Sequence, residues 1–98
     1  MDAIRTIEWE GIRLAWRERG RGPVLVLLHG WGASARFWEP AVARLAGRFR
    51  CLALDWPGYG RSGRPGRAVG LAGHAAALEA FLRRVAGPGA VVVGHSMG

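Results

Sequence analysis

The stretch that decides the fold is "VVVGHSMG", residues 91–98. Three β-branched valines lead into a turn in which glycines at 94 and 98 flank a serine at 96. This is the pattern G-x-S-x-G, in which a strand ends in a sharp turn and the serine is held at positive φ, so only small neighbours avoid a clash. The hydroxyl of such a serine stands clear of the sheet. Ser96 is therefore the candidate nucleophile, although the pattern alone also recurs by chance in glycine-rich chains.

The residues before this turn alternate between strand-like and helix-like patterns. Continuous apolar runs, typical of strands covered on both faces, predict strands at about 23–29, 50–55 and 90–95. Apolar residues at helical spacing predict helices at about 38–47 and 69–86. Ile12, Leu14 and Trp16 alternate with the residues between them, and Gly11 supplies a turn before them, which predicts an antiparallel hairpin over about 4–18. We therefore predict a single α/β domain over 1–98, a hairpin followed by parallel strands with right-handed crossover helices.

Composition excludes several classes of protein. The formal charge is +7 and all fourteen basic residues are arginine, but they are spread along the chain and form no basic block, so we predict no nucleic-acid partner. The one cysteine, Cys51, excludes an internal disulfide, and three scattered histidines form no metal-ligand pattern. The longest apolar run is too short to span a membrane, and the N-terminus lacks the apolar stretch of a signal peptide. We predict a cytoplasmic protein with no metal and no membrane association.

Two further motifs follow the first two apolar strands. They are "HGWG" at 29–32 and "DWPGYGRS" at 55–62. Together with the serine turn, in this order and spacing, they resemble the α/β-hydrolase family over essentially the whole chain. In that family the His-Gly turn lets the next backbone N–H join the oxyanion hole, which implies Trp31 as one donor and Met97 as the second.

The resemblance also implies structural roles around the site. The Asp-x-x-Gly-x-Gly-x-Ser turn is a signature near the site, carried here by Asp55, Gly58, Gly60 and Ser62. His29 lies in the oxyanion turn and is expected to brace that loop by hydrogen bonds. Gly30, like Gly94 and Gly98, provides the room that these turns need.

The resemblance implies acyl transfer through a serine nucleophile, with no cofactor. A serine at position 96, where the dehalogenase and epoxide-hydrolase branches would have an aspartate, favours esterases, lactonases and similar hydrolases acting on a small acyl ester. The residues of the 29–32 and 55–62 motifs also resemble those of carboxylesterases that cut pimeloyl-carrier-protein methyl ester. An arginine-rich surface would suit an acidic carrier protein.

The catalytic acid and histidine of the family follow the nucleophile in sequence, and no residue follows Gly98 here. His29, His74 and His95 are all expected to be structural. The resemblance therefore implies that the chain is the N-terminal portion of a hydrolase and ends within the nucleophile turn. We expect it to be inactive on its own. By resemblance, the strand at 90–95 is central in the full sheet, so here it is expected to form an exposed apolar edge. The oligomeric state is not predicted.

Two alternatives remain open at this point. "GYGRSG", Gly58 to Gly63, is a literal G-x-G-x-x-G after a strand, the fingerprint of dinucleotide binding, but it needs a helix that opens inside the motif. The sequence instead continues with Arg-Pro-Gly, and helical spacing resumes only near Leu71. The second alternative is a non-catalytic α/β module that binds a partner through the basic loop at 61–67.

Overall fold

The apolar runs of the sequence form the centre of a mixed five-stranded sheet. The computed structural model describes residues 3–30, 32–64 and 69–96. Its strands are β1 (Ala3–Trp9), β2 (Ile12–Arg19), β3 (Val24–Leu28), β4 (Arg50–Leu54) and β5 (Val91–Gly94). Their order is β1-β2-β4-β3-β5, with β1 and β2 antiparallel, β2 and β4 antiparallel, and β3 parallel to both β4 and β5. The predicted fold class, a hairpin followed by parallel strands, is confirmed.

Helical segments connect the parallel strands. They are a 3-10 turn (Ala35–Trp38), α1 (Glu39–Leu45), α2 (Leu71–Phe81) and a π-helical turn (Leu82–Ala86). The Ser34 hydroxyl accepts a hydrogen bond from the Arg36 backbone N–H and so caps the 3-10 turn. Pro40 lies in the first turn of α1, where its missing N–H is tolerated. Trp38 closes the 3-10 turn, so the α-helix itself begins one residue later than the sequence predicts.

The core has two parts, one on each face of the sheet. Alternate residues of β3 point to opposite faces, so Val26 and Leu28 join one cluster and Leu25 and Leu27 the other. The first cluster packs under α2 around Phe81, whose ring meets Trp16 edge-on at 5.2 Å. The second packs under α1 and includes the Cys51 thiol, whose pKa is raised by burial against the weaker pull of Arg19. Cys51 is thus a free cysteine buried in the core.

One strand departs from the buried pattern of the others. The apolar run at 90–95 has the composition of a buried strand, yet all four residues of β5 are exposed. In the described part of the chain β5 has a neighbour only on its β3 side, so its outer edge is open.

The register of the parallel strands sets the location of the site. Leu28 at the end of β3 is paired with Leu54 on one side and Gly94 on the other. The carboxyl ends of three strands therefore lie side by side, where open α/β sheets bind ligands. The three motifs found in the sequence leave the sheet at this edge.

Candidate active site

Ser96 lies in a strained turn directly after β5. Its φ is +60°, in the left-handed region that residues with a side chain rarely adopt. The strand is held in place up to this point, because the His95 N–H donates to the Leu28 carbonyl at 3.0 Å. The Ser96 side chain is exposed at the carboxyl edge of the sheet. Glu10, in the tight turn between β1 and β2, also has a positive φ, but Ser96 lies at the carboxyl ends of the parallel strands, and strained backbone clusters at functional sites.

The backbone at Gly30 lies close to this serine. A Cβ added to Gly30 would lie 2.9 Å from Ser96 Cβ, 3.1 Å from the His95 carbonyl oxygen and 3.5 Å from Ser96 Oγ. Any larger residue at position 30 would push the serine away. The glycine of the His-Gly turn therefore lets two loops approach, and it brings the backbone at residue 30 against the candidate nucleophile.

A buried carboxylate joins the loop after β3 to the loop after β4. Asp55 is 2% exposed, and its Oδ1 accepts from the Ala35 N–H at 2.7 Å while its Oδ2 accepts from the Arg61 N–H at 3.0 Å. Two charge-assisted bonds offset the burial of the carboxylate. Gly60, at φ +50°, packs so closely that an added Cβ would overlap the carboxyl group. The Asp-x-x-Gly-x-Gly-x-Ser motif thus forms a loop that packs around the carboxyl group of its first residue, Asp55.

Ser62 fastens the far end of that loop to the sheet. Its hydroxyl donates to the Asp55 carbonyl at 2.6 Å and accepts from the Ala15 N–H of β2 at 2.8 Å. The side chain is buried. The first glycine of the motif, Gly58, has φ +85°, a value that favours glycine in this turn.

His29 is fully buried between the two loops. Its Nε2 accepts from the Trp56 backbone N–H at 3.2 Å, and its Nδ1 lies 2.8 Å from the Gly30 carbonyl oxygen. Trp56 donates a second hydrogen bond, from its indole Nε1 to the His29 carbonyl at 2.9 Å. Burial lowers the pKa of His29, against smaller opposing effects of the Gly30 carbonyl and Asp55. This pair of hydrogen bonds from Trp56 to His29, here called the clamp, is a feature that sequence reasoning missed.

His74 on α2 extends this buried group. Its ring stacks on Trp56 at 5.1 Å with an interplanar angle of 16°, and its Nδ1 is buried without a hydrogen-bond partner among the described residues. Burial lowers its pKa, and proximity to His29 lowers it further. His95 instead stacks on Phe37 at 4.7 Å. Within the described ranges, no imidazole is hydrogen-bonded to the Ser96 hydroxyl.

Three predicted site residues lie outside the described residues. They are Trp31, Met97 and Gly98. The basic loop at 61–67 is described only as far as Arg64.

The dinucleotide alternative does not fit the described loop. Between Gly58 and Gly63 the backbone makes successive turns, closed by bonds from Tyr59 N–H to the Trp56 carbonyl and from Ser62 N–H to the Tyr59 carbonyl. No helix begins inside the motif, and α2 begins at Leu71. A pyrophosphate would therefore meet no helix N-terminus at these glycines.

A strained serine turn, a His-Gly turn and an aspartate-centred loop, all at the carboxyl ends of the parallel strands of a mixed sheet, are features of an α/β hydrolase. The family model for the α/β hydrolase fold matches residues 23–98, and the chain belongs to this family.

Curated relatives extend this assignment. The chain is 41% identical over 88 residues to the pimeloyl-acyl-carrier-protein methyl ester esterase of Vibrio vulnificus strain YJ016, which covers 87% of this chain and 31% of the relative. It is 33% identical over 94 residues to the 2-(acetamidomethylene)succinate hydrolase of Mesorhizobium japonicum, covering 96% of this chain and 34% of the relative. The chain therefore spans about a third of the length of the curated relatives it matches.

Solved structures agree on the fold. A crystal structure of E-2-(acetamidomethylene)succinate hydrolase superposes with a TM-score of 0.89 at 31% identity, covering 98% of this chain and 36% of that one. A haloalkane dehalogenase variant from Bradyrhizobium elkanii superposes with a TM-score of 0.93 at 28% identity, covering 99% and 33%. No helix in the described part of the chain is long and apolar enough to cross a membrane, and no group of three or more metal-ligating side chains is found there.

Proposed function

We propose that this chain carries the nucleophile and the oxyanion loop of a serine hydrolase that acts on carboxylic esters. The observation that carries the proposal is the position of Ser96, at φ +60° on the carboxyl edge of the sheet and packed against the backbone of Gly30. A serine here, where an aspartate would be expected in dehalogenases and epoxide hydrolases, favours the esterase branch over the branches to which several structural neighbours belong. The curated esterase and hydrolase relatives support the same branch.

The proposed reaction proceeds in two steps. Ser96 Oγ loses its proton to a base and attacks the ester carbonyl carbon, and the carbonyl oxygen becomes an oxyanion that accepts from the N–H groups of Trp31 and Met97. Collapse expels the alcohol and leaves an acyl-serine, which water then hydrolyses to the acid and free enzyme. Removal of one oxyanion donor typically costs about 100- to 1,000-fold in kcat.

We further propose that the 98 residues alone are inactive. The acid and base of a hydrolase of this class follow the nucleophile in sequence. Of the three histidines, His29 and His74 are committed to the buried group around Trp56, and His95 packs on Phe37. Loss of catalytic triad members in a serine protease reduces turnover by about a millionfold.

The proposed substrate class is a small carboxylic ester, including one linked to an acidic carrier protein. The esterase relative acts on a carrier-protein ester by name. The exposed residues Arg61 and Arg64 lie in the loop after β4, at the same edge of the sheet as Ser96. Arginine groups pair readily with acidic surfaces, which supports a carrier-linked ester. The cytoplasmic location inferred from the sequence stays a prediction.

A chimera tests the proposal. This chain would replace the aligned third of the Vibrio vulnificus esterase, whose remaining two thirds would supply the missing acid and base. We expect the chimera to hydrolyse a short-chain nitrophenyl ester and Ser96→Ala to abolish turnover. Ser34→Ala, which removes a hydroxyl from the 3-10 turn, is the matched control and should retain turnover. Equal turnover in chimeras with and without Ser96 would refute the proposal.

A further inference from the structure

The buried imidazole of His29 has its two ring nitrogens bound to two different loops. We infer that His29 is a positioning residue whose neutral ring, protonated on Nδ1 alone, orients the peptide group between residues 30 and 31. That peptide group carries the N–H proposed above as the first oxyanion donor. The catalytic consequence rests on the proposed function, whereas the state of the ring does not.

The partners of His29 fix which nitrogen carries the proton. A backbone N–H can only donate, so the Trp56 N–H at 3.2 Å requires a lone pair on Nε2. A carbonyl can only accept, so the Gly30 oxygen at 2.8 Å requires a proton on Nδ1. Because both partners are main-chain groups, neither can reverse its role. The alternative tautomer would place two donors together at one nitrogen and two acceptors at the other.

The held carbonyl controls the next N–H through peptide planarity. The C=O of residue 30 and the N–H of residue 31 belong to one planar unit and point in opposite directions. The Gly30 oxygen accepts from His29 Nδ1 and also from the Ala33 N–H at 3.3 Å. Rotation of this peptide would break both bonds. Gly30 is also the residue packed against Ser96, so the residue whose carbonyl is held by His29 is the one that contacts the proposed nucleophile.

The ring is itself fixed by the loop after β4. Trp56 donates two hydrogen bonds to residue 29, from its backbone N–H to the ring Nε2 and from its indole N–H to the carbonyl, and its ring stacks on His74 of α2. Asp55 Oδ1 lies 4.0 Å from His29 Nε2, and the Tyr59 ring packs at 5.2 Å. Among the described residues, Asp55, Tyr59 and His74 are the ionisable groups that face His29 from the neighbouring elements. A second proton would put a ring N–H against the Trp56 N–H and open the clamp, despite the attraction of Asp55.

The ring state can be measured directly on the 98-residue chain. Nitrogen-15 NMR of a histidine-labelled sample reports which nitrogen of each ring is protonated. We expect His29 to show a protonated Nδ1 and an unprotonated Nε2 at pH 7, with no averaging between tautomers. A ring protonated on Nε2, a charged ring, or rapid exchange between the two neutral forms would overturn the inference.

Two variants distinguish a His29 that orients the peptide group after Gly30 from a His29 that only holds the loop in place. In His29→Asn the side-chain amide falls near the position of Nδ1 and can donate to the Gly30 carbonyl but not reach Trp56. In His29→Gln the amide reaches the position of Nε2 and can accept from Trp56 while leaving the Gly30 carbonyl without its side-chain donor. In the chimera we expect His29→Gln to lower kcat at least tenfold more than His29→Asn, with KM changed little in both.

The outcomes distinguish this inference from the proposed function. Equal losses of kcat in the two variants, or a larger loss in His29→Asn, would show that His29 only braces the loop. If Ser96→Ala leaves turnover intact while the ring shows the expected tautomer, the serine assignment fails and the inferred ring state stands. If the ring is in the other tautomer and Ser96→Ala abolishes turnover, the inference fails and the proposed function stands.

Discussion

At the scale of single residues, the backbone of Ser96 works against the stability of the chain. A non-glycine residue in the left-handed region costs about 1–2 kcal/mol. We therefore expect Ser96→Gly to raise the free energy of unfolding by about 1 kcal/mol over Ser96→Ala, because both lack the hydroxyl but only glycine relieves the strain. Urea denaturation of the two variants measures the difference. Equal stability, or a more stable alanine variant, would mean that residue 96 is relaxed in solution.

The aspartate-centred loop provides a second residue-scale prediction. An alanine at position 60 would place its Cβ on the Asp55 carboxyl group, at a φ that is unfavourable for alanine. We expect Gly60→Ala to lower the free energy of unfolding by about 2 kcal/mol or more. Gly47→Ala is the matched control, because nothing lies within 4 Å of the added Cβ, and it should change stability by no more than about 0.5 kcal/mol. Similar denaturation midpoints for the two variants would contradict the packing described here.

Glycine motifs could be predicted at this scale because they depend on local backbone geometry. The strained turn at 96 and the turns at Gly58 and Gly60 follow from short sequence patterns. The hydrogen bonds of His29 with Trp56 could not be predicted in the same way. They join residues 27 positions apart and arise from the register of β3 against β4. The tryptophan of "DWPG" was the available signal, but its partner could not be read from sequence.

At the scale of elements, the packing of α2 on the two loops predicts a pH dependence of stability. Burial lowers the pKa of both His29 and His74 below the ordinary value of 6.5. The unfolded chain therefore binds more protons than the folded chain below that pH. The contribution of these two histidines to the free energy of unfolding is fully present above pH 6.5. It is lost as the pH is lowered below that value, by up to about 1.4 kcal/mol per pH unit for each histidine.

The variant His74→Phe tests how much of this pH dependence of stability comes from His74. Phenylalanine keeps an aromatic ring on Trp56 and removes a nitrogen that has no hydrogen-bond partner among the described residues. The slope of unfolding free energy against pH, measured between pH 6.5 and 5, should fall by about half. An unchanged slope would show that His74 does not take part.

The start of the first helical segment illustrates what elements need beyond local pattern. Apolar spacing predicts a helix from about residue 38, and the structure adds a 3-10 turn from Ala35. Its first N–H is bound by the carboxylate of Asp55, twenty residues further along the chain. Ser34 is a local cap that the sequence offers, but the bond from Asp55 comes from another loop and leaves no mark in the local sequence, so that contact could not be predicted.

At the scale of the whole molecule, the two edges of the sheet differ in character. β1 carries Arg5 and Glu8 among its residues, whereas β5 presents Val91, Val92 and Val93 at 58%, 42% and 37% exposure. An open apolar strand edge is a template for pairing with another chain. We expect the 98-residue chain to associate as its concentration rises and Val92→Lys to suppress that association.

Sedimentation velocity over a range of concentrations measures the association of the wild-type chain and of the Val92→Lys variant. Ile4→Lys is the matched control, since Ile4 is 44% exposed on the opposite edge strand. It should leave association unchanged. A wild-type chain that stays monomeric throughout, or equal behaviour of the two lysine variants, would show that β5 is not the contact.

Fold class could be predicted at this scale because strand and helix periodicities alternate along the whole chain. The antiparallel pairing of β2 with β4 could not be predicted from the sequence. This pairing places the hairpin beside the parallel strands. It depends on contacts between segments far apart in sequence, such as the Ser62 bond to Ala15.

The central claim is that Ser96 is the residue that becomes acylated. Treating the chimera and the isolated 98-residue chain with a fluorophosphonate, and locating the adduct by peptide mass spectrometry, tests it most directly. We predict one adduct on Ser96 in the chimera and none above background in the isolated chain. An active chimera whose adduct lies on a different residue would contradict the account.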